Sequence, residues 1–229
     1  MTNKTIVMMG DTHRLSIMEN LISEANLTDS IVIHVGDIGV FDSFHKNFDK
    51  VLNNIENSLA ERNVTFYGIR GNHDDPKYFT KEYFDRFNHL KLVPDYTRLN
   101  IQGEDFLFVG GAISVNRIDL VPNVSWWEDE VFIHRPELVS KCDVLVSHTT
   151  HPFVGPAGRE RIEGYLEKDI TLWQELYAER EEFHDLFKIA RPRKHYCGHF
   201  HVSEYVKYMD CDCRILDVKE MREHRPPYK

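Results

Sequence analysis

Short apolar or β-branched runs recur at residues 4–9, 31–35, 65–69, 106–109, 144–146 and 194–197, and each ends abruptly. Runs of this length and composition read as buried strands. Between them, apolar residues repeat with helical spacing at 15–24, at 44–59 (Phe44, Phe48, Val51, Leu52, Ile55), at 78–87 behind Asp75-Pro76, and at 171–186. Proline suits the first turn of a helix, where its missing N–H would have had no partner. Strand and helix alternate, which predicts an α/β fold with largely parallel pairing, because parallel neighbours need a crossover between them. Residues 204–208 and 213–218 read as a closing strand pair turned at Cys211-Asp212. Residues 152–164, rich in proline and glycine, are the longest irregular stretch and the expected place of a mobile loop. One domain over residues 1–221 and a disordered tail over 222–229 complete the expected layout.

Composition narrows the class. With 229 residues, 41% of them hydrophobic, the chain can bury a sizeable core. No apolar stretch approaches the roughly 18 residues needed to span a bilayer, and the run at 5–9 is too short for the core of a signal peptide. A cytoplasmic protein without a membrane partner is expected. Four cysteines (Cys142, Cys197, Cys211, Cys213) show neither disulfide-scaffold density nor paired CxxC spacing, so they read as reduced, buried thiols. Acidic side chains outnumber basic ones 37 to 28, a net charge of −9 that disfavours nucleic acid as a partner.

The chemistry lies just past the strand ends. Asp11 and His13, Asp37, Asn72, His148, and His199 with His201 follow five of the six runs. In a mostly parallel sheet consecutive C-terminal ends share one edge, so these residues can converge on one pocket. Glycine precedes the polar residue in Gly10-Asp11, Gly36-Asp37, Gly71-Asn72 and Gly198-His199, which suits sharp exits from a strand. Carboxylate, imidazole and amide oxygen together suit manganese, iron, zinc, nickel or cobalt better than calcium.

Asp11-Thr12-His13, Gly36-Asp37, Gly71-Asn72-His73-Asp74, His148 and Gly198-His199-Phe200-His201, in that order, resemble the five motifs of the calcineurin-like metallophosphoesterases. The resemblance implies two mixed sheets flanked by helices in a four-layer αββα sandwich, with a dinuclear metal site at the strand ends. It implies two divalent metal ions, manganese foremost. Asp11, His13 and His201 would hold one, Asn72, His148 and His199 the other, and Asp37 would bridge them. Such a pair would clamp the attacking and leaving oxygens and lower the pKa of bound water towards 7. The activity implied is hydrolysis of small phosphodiesters or phosphomonoesters by a metal-bridging hydroxide, with His73 as general acid or transition-state stabiliser.

Phosphoprotein phosphatases of this superfamily continue the second motif with an Asp-Arg pair, whereas here Ile38-Gly39-Val40-Phe41-Asp42 follows Asp37. That departure counts against a dedicated phosphoserine phosphatase and leaves Asp42 and Asp74 as candidates to orient His73. The segment 110–117 with Trp126-Trp127-Glu128 resembles a bacterial and phage-borne branch of small enzymes, in which Arg117 would reach a substrate phosphate. A surface or salt-bridged role for Arg117 is the competing reading, and Trp126 and Trp127 read as packing or lid residues. Among thirteen histidines, His34 reads as a hydrogen-bonded core residue and His195 as pointing away from the metals. His151 rivals His148 as a ligand; His45, His89, His134, His184 and His224 read as surface residues, and Asp74 as a helix cap. The competing functions are a nuclease of the same superfamily and a non-catalytic interaction scaffold.

Overall fold

The computed structural model describes residues 4–43, 45–156 and 162–225. Its strands are β1 (Thr5–Met9), β2 (Ser30–His34), β3 (Thr65–Gly68), β4 (Leu90–Leu92), β5 (Thr97–Ile101), β6 (Glu104–Val109), β7 (Val144–Ser147), β8 (Lys194–Cys197), β9 (Glu204–Tyr208), β10 (Cys211–Ile215) and β11 (Met221–His224). The helices are α1 (Leu15–Glu24), α2 (Phe48–Glu61), α3 (Lys81–Arg86), α4 (Glu163–Leu166) and α5 (Leu172–Ala190). Two sheets form, in the orders β11-β1-β2-β3-β4 and β5-β6-β7-β8-β10-β9. Strands β1 to β4 run parallel, as do β6, β7, β8 and β10, while β11, β5 and β9 add antiparallel edges.

Alternation along the strands builds the layers. Ile6, Met8, Ile33 and Val35 face Phe106, Phe108, Val144 and Val146 in a core between the two sheets. The opposite faces carry Met9, Val32 and Phe66 against α1 and α2 in one outer core. Leu107, Val109 and Leu145 pack against Phe183, Leu186 and Phe187 of α5 in the other. Strands buried on both faces explain why the apolar runs are nearly continuous. The result is the expected four-layer sandwich of two mixed sheets flanked by helices.

Several local expectations are corrected. The helix expected at 78–87 is a single 3-10 turn, Pro76–Tyr78, followed by the short α3, with Phe79 leaving helical geometry at ψ 55°. Helix α2 begins only at Phe48, where the Asn47 side chain accepts from the Lys50 amide at 3.0 Å; Phe44 lies outside the described residues. The closing hairpin turns at Met209-Asp210, with Met209 left-handed at φ 52° and Tyr208 opposite Cys211. Cys211 therefore belongs to a strand rather than to the turn expected there, and residues 216–218 lie beyond β10. In place of the disordered tail, Met221, Arg222, Glu223 and His224 pair with β1 as an edge strand, anchored by His224; residues 226–229 lie outside the described part. Of the loop expected at 152–164, residues 152–156 are irregular, α4 begins within it at Glu163, and residues 157–161 lie outside the described part. Among the described residues, no helix is long and apolar enough to cross a membrane.

Candidate metal centre and adjoining cavity

Asp11 follows β1 and is fully buried, as is Asp37 behind β2. His13, Asp37, His199 and His201 all adopt left-handed backbone, at φ 55°, 56°, 68° and 50°. Non-glycine residues seldom do so, and backbone of this kind is held in place only where its surroundings enforce it. Here the turns aim the side chains at one another. His201 Nε2 lies 3.3 Å from Asp11 Oδ2 and 3.2 Å from His13 Nε2. His13 Nδ1 is 3.6 Å from Asp37 Oδ2. Donor atoms of Asp11, His13, Asp37 and His201 all lie within 4.8 Å of one another.

A second group shares Asp37. Asn72 Oδ1 sits 3.0 Å from His148 Nε2 and 2.8 Å from His199 Nδ1, and His148 Nε2 is 3.4 Å from Asp37 Oδ1. Two backbone amides support the carboxylates: that of His73 donates to Asp37 Oδ1 at 2.8 Å, and that of His199 to Asp11 Oδ2 at 3.0 Å. Close approach of the chain explains two of the glycines. A methyl group at Gly71 would collide with the Asp37 carboxylate, and one at Gly198 with that of Asp11.

The electrostatics fit a cation. The Nδ1 of His148 lies 2.8 Å from the Val35 carbonyl, so Nδ1 carries the proton and donates it. A neutral His148 then turns a lone pair at Nε2 towards two oxygens, of Asn72 and Asp37, with no proton between them. Two outcomes relieve this. Although burial opposes its charge, His148 is pushed up to about 9 by the Asp37 carboxylate. Alternatively, a divalent ion occupies the facing lone pairs, with the second imidazole nitrogen fixed by a carbonyl as metal-binding histidines require. Against its own burial, the charge of His148 holds the Asp37 carboxyl well below the ordinary range. Burial also keeps His199 neutral, the form a ligand needs.

Asp74 is not a helix cap. Its buried carboxylate accepts from the amides of Ile38, Gly39, Val40 and Gly71 at 2.7–3.1 Å, tying the loop behind β2 to the loop behind β3. Asp42 is partly exposed and paired with Lys77 at 3.0 Å. Both candidates for orienting His73 are thus committed elsewhere, while His73 itself packs edge-on against His13 with ring centres 5.5 Å apart.

Beside the donors opens a cavity of about 420 Å³ whose inner edge is Asp37, Asn72, His73, His199 and His201. Its outer wall is largely apolar and comes from one face of α5, namely Trp173, Leu176, Tyr177 and Arg180, with Tyr165 and Phe200. Arg117 does not line it. The Arg117 guanidinium is held by Asp169 at 2.7 Å and Glu175 at 2.5 Å, which corrects the expectation of a phosphate contact in favour of the salt-bridged alternative.

Arg180, which no motif in the sequence marks, donates to the carbonyls of Thr150, His151, Val154 and Pro156 and lies over the Phe200 ring at 5.1 Å. The helical spacing of Trp173, Leu176, Tyr177 and Arg180 was the available signal. His34 is buried and bonded to Thr12 at 3.1 Å, as expected of a core residue. His224 is no surface residue: it is buried between Glu104, at 2.8 Å, and the Tyr196 hydroxyl, at 3.1 Å. His151 is buried away from the metal-binding donors, in a separate cluster with His195 and Cys213.

Sequence comparison with curated proteins returns no match. Among solved structures the chain is similar to TT1561 of Thermus thermophilus, at 11% identity and a TM-score of 0.56 over 97% of this chain and 99% of that one. It is also aligned with a phosphopantetheinyl hydrolase (PptH) from Mycobacterium tuberculosis at 15% identity and a TM-score of 0.47, over 99% and 98% of the two chains. The model of the calcineurin-like phosphoesterases matches residues 4–203, a span that begins at β1 and takes in every polar residue converging on the centre. The chain belongs to the calcineurin-like phosphoesterase family.

Proposed function

We propose that the chain hydrolyses small phosphodiesters or phosphomonoesters whose organic group is apolar or aromatic. The observation that carries this reading is the junction of two surfaces: seven metal-type donors at the strand ends, and directly beside them the wall built by Trp173, Leu176, Tyr177 and Tyr165. Asp11, His13 and His201 would hold one divalent ion and Asn72, His148 and His199 a second, with Asp37 available to both. When bound, such a pair supplies Lewis acidity toward the phosphoryl oxygens and activates water near neutral pH.

The chain's own residues do the rest. The Asp37 carboxylate, steadied by the His73 amide, holds the two ligand groups at one spacing. His73, on the cavity edge, delivers a proton to the departing oxygen, which spares the product an alkoxide. The aromatic wall takes the organic group and excludes water from one side of the phosphorus. The net charge of −9 favours a small substrate over a nucleic-acid strand.

The test is hydrolysis of an aryl phosphodiester and the matching monoester by metal-stripped protein, before and after manganese, with Asp37→Ala as control. Manganese-dependent turnover absent from the variant is expected. Failure to hydrolyse either ester with metals bound overturns the reading.

A further inference from the structure

Away from the cavity, the outer face of the second sheet carries a cluster that the hydrolytic site does not use. His151, on the loop behind β7, His195 of β8 and Cys213 of β10 are all fully buried, and a donor atom of each lies within 4.8 Å of the others. His195 and Cys213 are register partners on adjacent parallel strands and so project from the same face.

The hydrogen bonding leaves these imidazoles with unused lone pairs. Ser147 Oγ donates its one proton to the Thr149 carbonyl at 2.6 Å. Its 2.7 Å contact with His195 Nε2 must therefore be a bond donated by the histidine. That fixes the tautomer: Nδ1 of His195 carries a lone pair, and it is buried with no partner. Neither ring nitrogen of His151 has a partner either. Three buried nitrogens without hydrogen bonds in one spot are a substantial penalty unless something fills the space between them. An imidazole whose other nitrogen donates to a neighbour is also the usual state of a metal-bound histidine.

The sulfur side completes the set. Cys213, fully buried in β10, brings a sulfur donor to the two imidazoles. Phe187 and Tyr208 close over His151 with ring centres at 4.6 and 4.5 Å, and Phe183 stacks on His195 at 5.6 Å. Imidazole nitrogen and thiolate sulfur are the donors that zinc takes, with bonds of about 2.0–2.3 Å.

We propose that His151, His195 and Cys213 bind one structural zinc ion between β8, β10 and α5. Binding releases the Cys213 thiol proton to solvent, and the resulting thiolate offsets part of the charge of the ion, with two neutral imidazoles as the other ligands. His151 lies three residues beyond His148, so the ion fastens the loop that carries a ligand of the hydrolytic centre.

The full chain with Asp37→Ala and His13→Ala, which disable the hydrolytic centre, is purified after growth with zinc and its metal content measured. About one zinc ion per chain that resists brief chelation is expected. Adding Cys213→Ser should bring zinc to background while circular dichroism shows a folded chain. Cobalt exchanged into the unmodified Cys213 background should give thiolate-to-cobalt absorption, which does not depend on that variant folding. Zinc absent from the double variant, zinc retained in folded Cys213→Ser, or cobalt without the thiolate band each overturns the proposal. None of these outcomes bears on phosphoester hydrolysis.

Discussion

The side-chain amide of Asn72 donates to Ser114 Oγ at 2.9 Å, and the Ser114 hydroxyl donates in turn to Glu130 Oε2 at 2.9 Å. Because the hydroxyl proton is committed to the carboxylate, Ser114 presents Asn72 with an acceptor only. The amide can then sit one way: nitrogen towards Ser114, oxygen towards His148 and His199. A glutamine at position 130 can donate to Ser114, which frees the hydroxyl to donate to Asn72 and rotates the amide oxygen away from the histidines. Glu130→Gln and Ser114→Ala are both expected to weaken divalent-ion binding roughly 10–100-fold, the usual cost of losing an outer hydrogen bond to a ligand. Calorimetric titration of the metal-stripped protein checks this; unchanged affinity in both variants would show that Asn72 needs no such support.

His73 donates its backbone amide to Asp37 but leaves its ring at the cavity edge. His73→Ala should therefore keep both metal sites while lowering kcat by about 10²–10⁴ for substrates with a poor leaving group. The loss should shrink for an activated aryl ester, which needs no proton. Equal losses on both substrates would remove His73 from the proton transfer.

Gly71 leaves no room for a side chain against Asp37. Gly71→Ala is expected to cost about 1–3 kcal/mol in stability by overpacking and to lower the bound metal content of the folded protein. Denaturant unfolding together with metal analysis separates the two effects. A variant with full metal content contradicts the close approach.

Glu179 gives a pH dependence with a definite sign. Burial pushes this carboxyl from 4.5 up to about 7, so the folded state prefers its protonated form. The stabilisation is fully present below pH 4.5, and it is lost as the pH rises through 7. A shift of this size corresponds to about 3 kcal/mol. Glu179→Gln should flatten the fall in stability between these pH values, as read from urea unfolding at several pH values. A variant with the same slope as the parent would relieve Glu179 of that role.

Much of this was legible in the sequence because its signals are local. Strands β1, β2 and β7 are buried on both faces, so their apolar runs stand out, and a polar residue just past such a run marks the sheet edge. Strand β4 has three residues and β5 lies half-exposed at an edge, too little pattern to recognise. Partners remote in sequence were also invisible. Arg117 meets Asp169 and Glu175 across 52 and 58 residues, and Asn72 meets Ser114 across 42, distances at which spacing carries no information. The disordered tail was misread because exposed Arg222 and Glu223 look solvated in sequence, whereas their backbone completes an edge.

That edge strand sets an order of events. Of the described strands β1 is made first, yet one of its sides waits for β11, and the Asp11 carbonyl waits for the amide of Lys219, 2.8 Å away in the folded chain. The Gly10 amide likewise waits for the carbonyl of Glu220, at 2.9 Å. A ribosome-bound chain that has already made every candidate metal ligand therefore still lacks the segment that holds the first of them in place. Translation must run through Lys219 and Glu220 into β11 before the centre can set, so a product truncated soon after His201 would carry all seven donors and a loose β1.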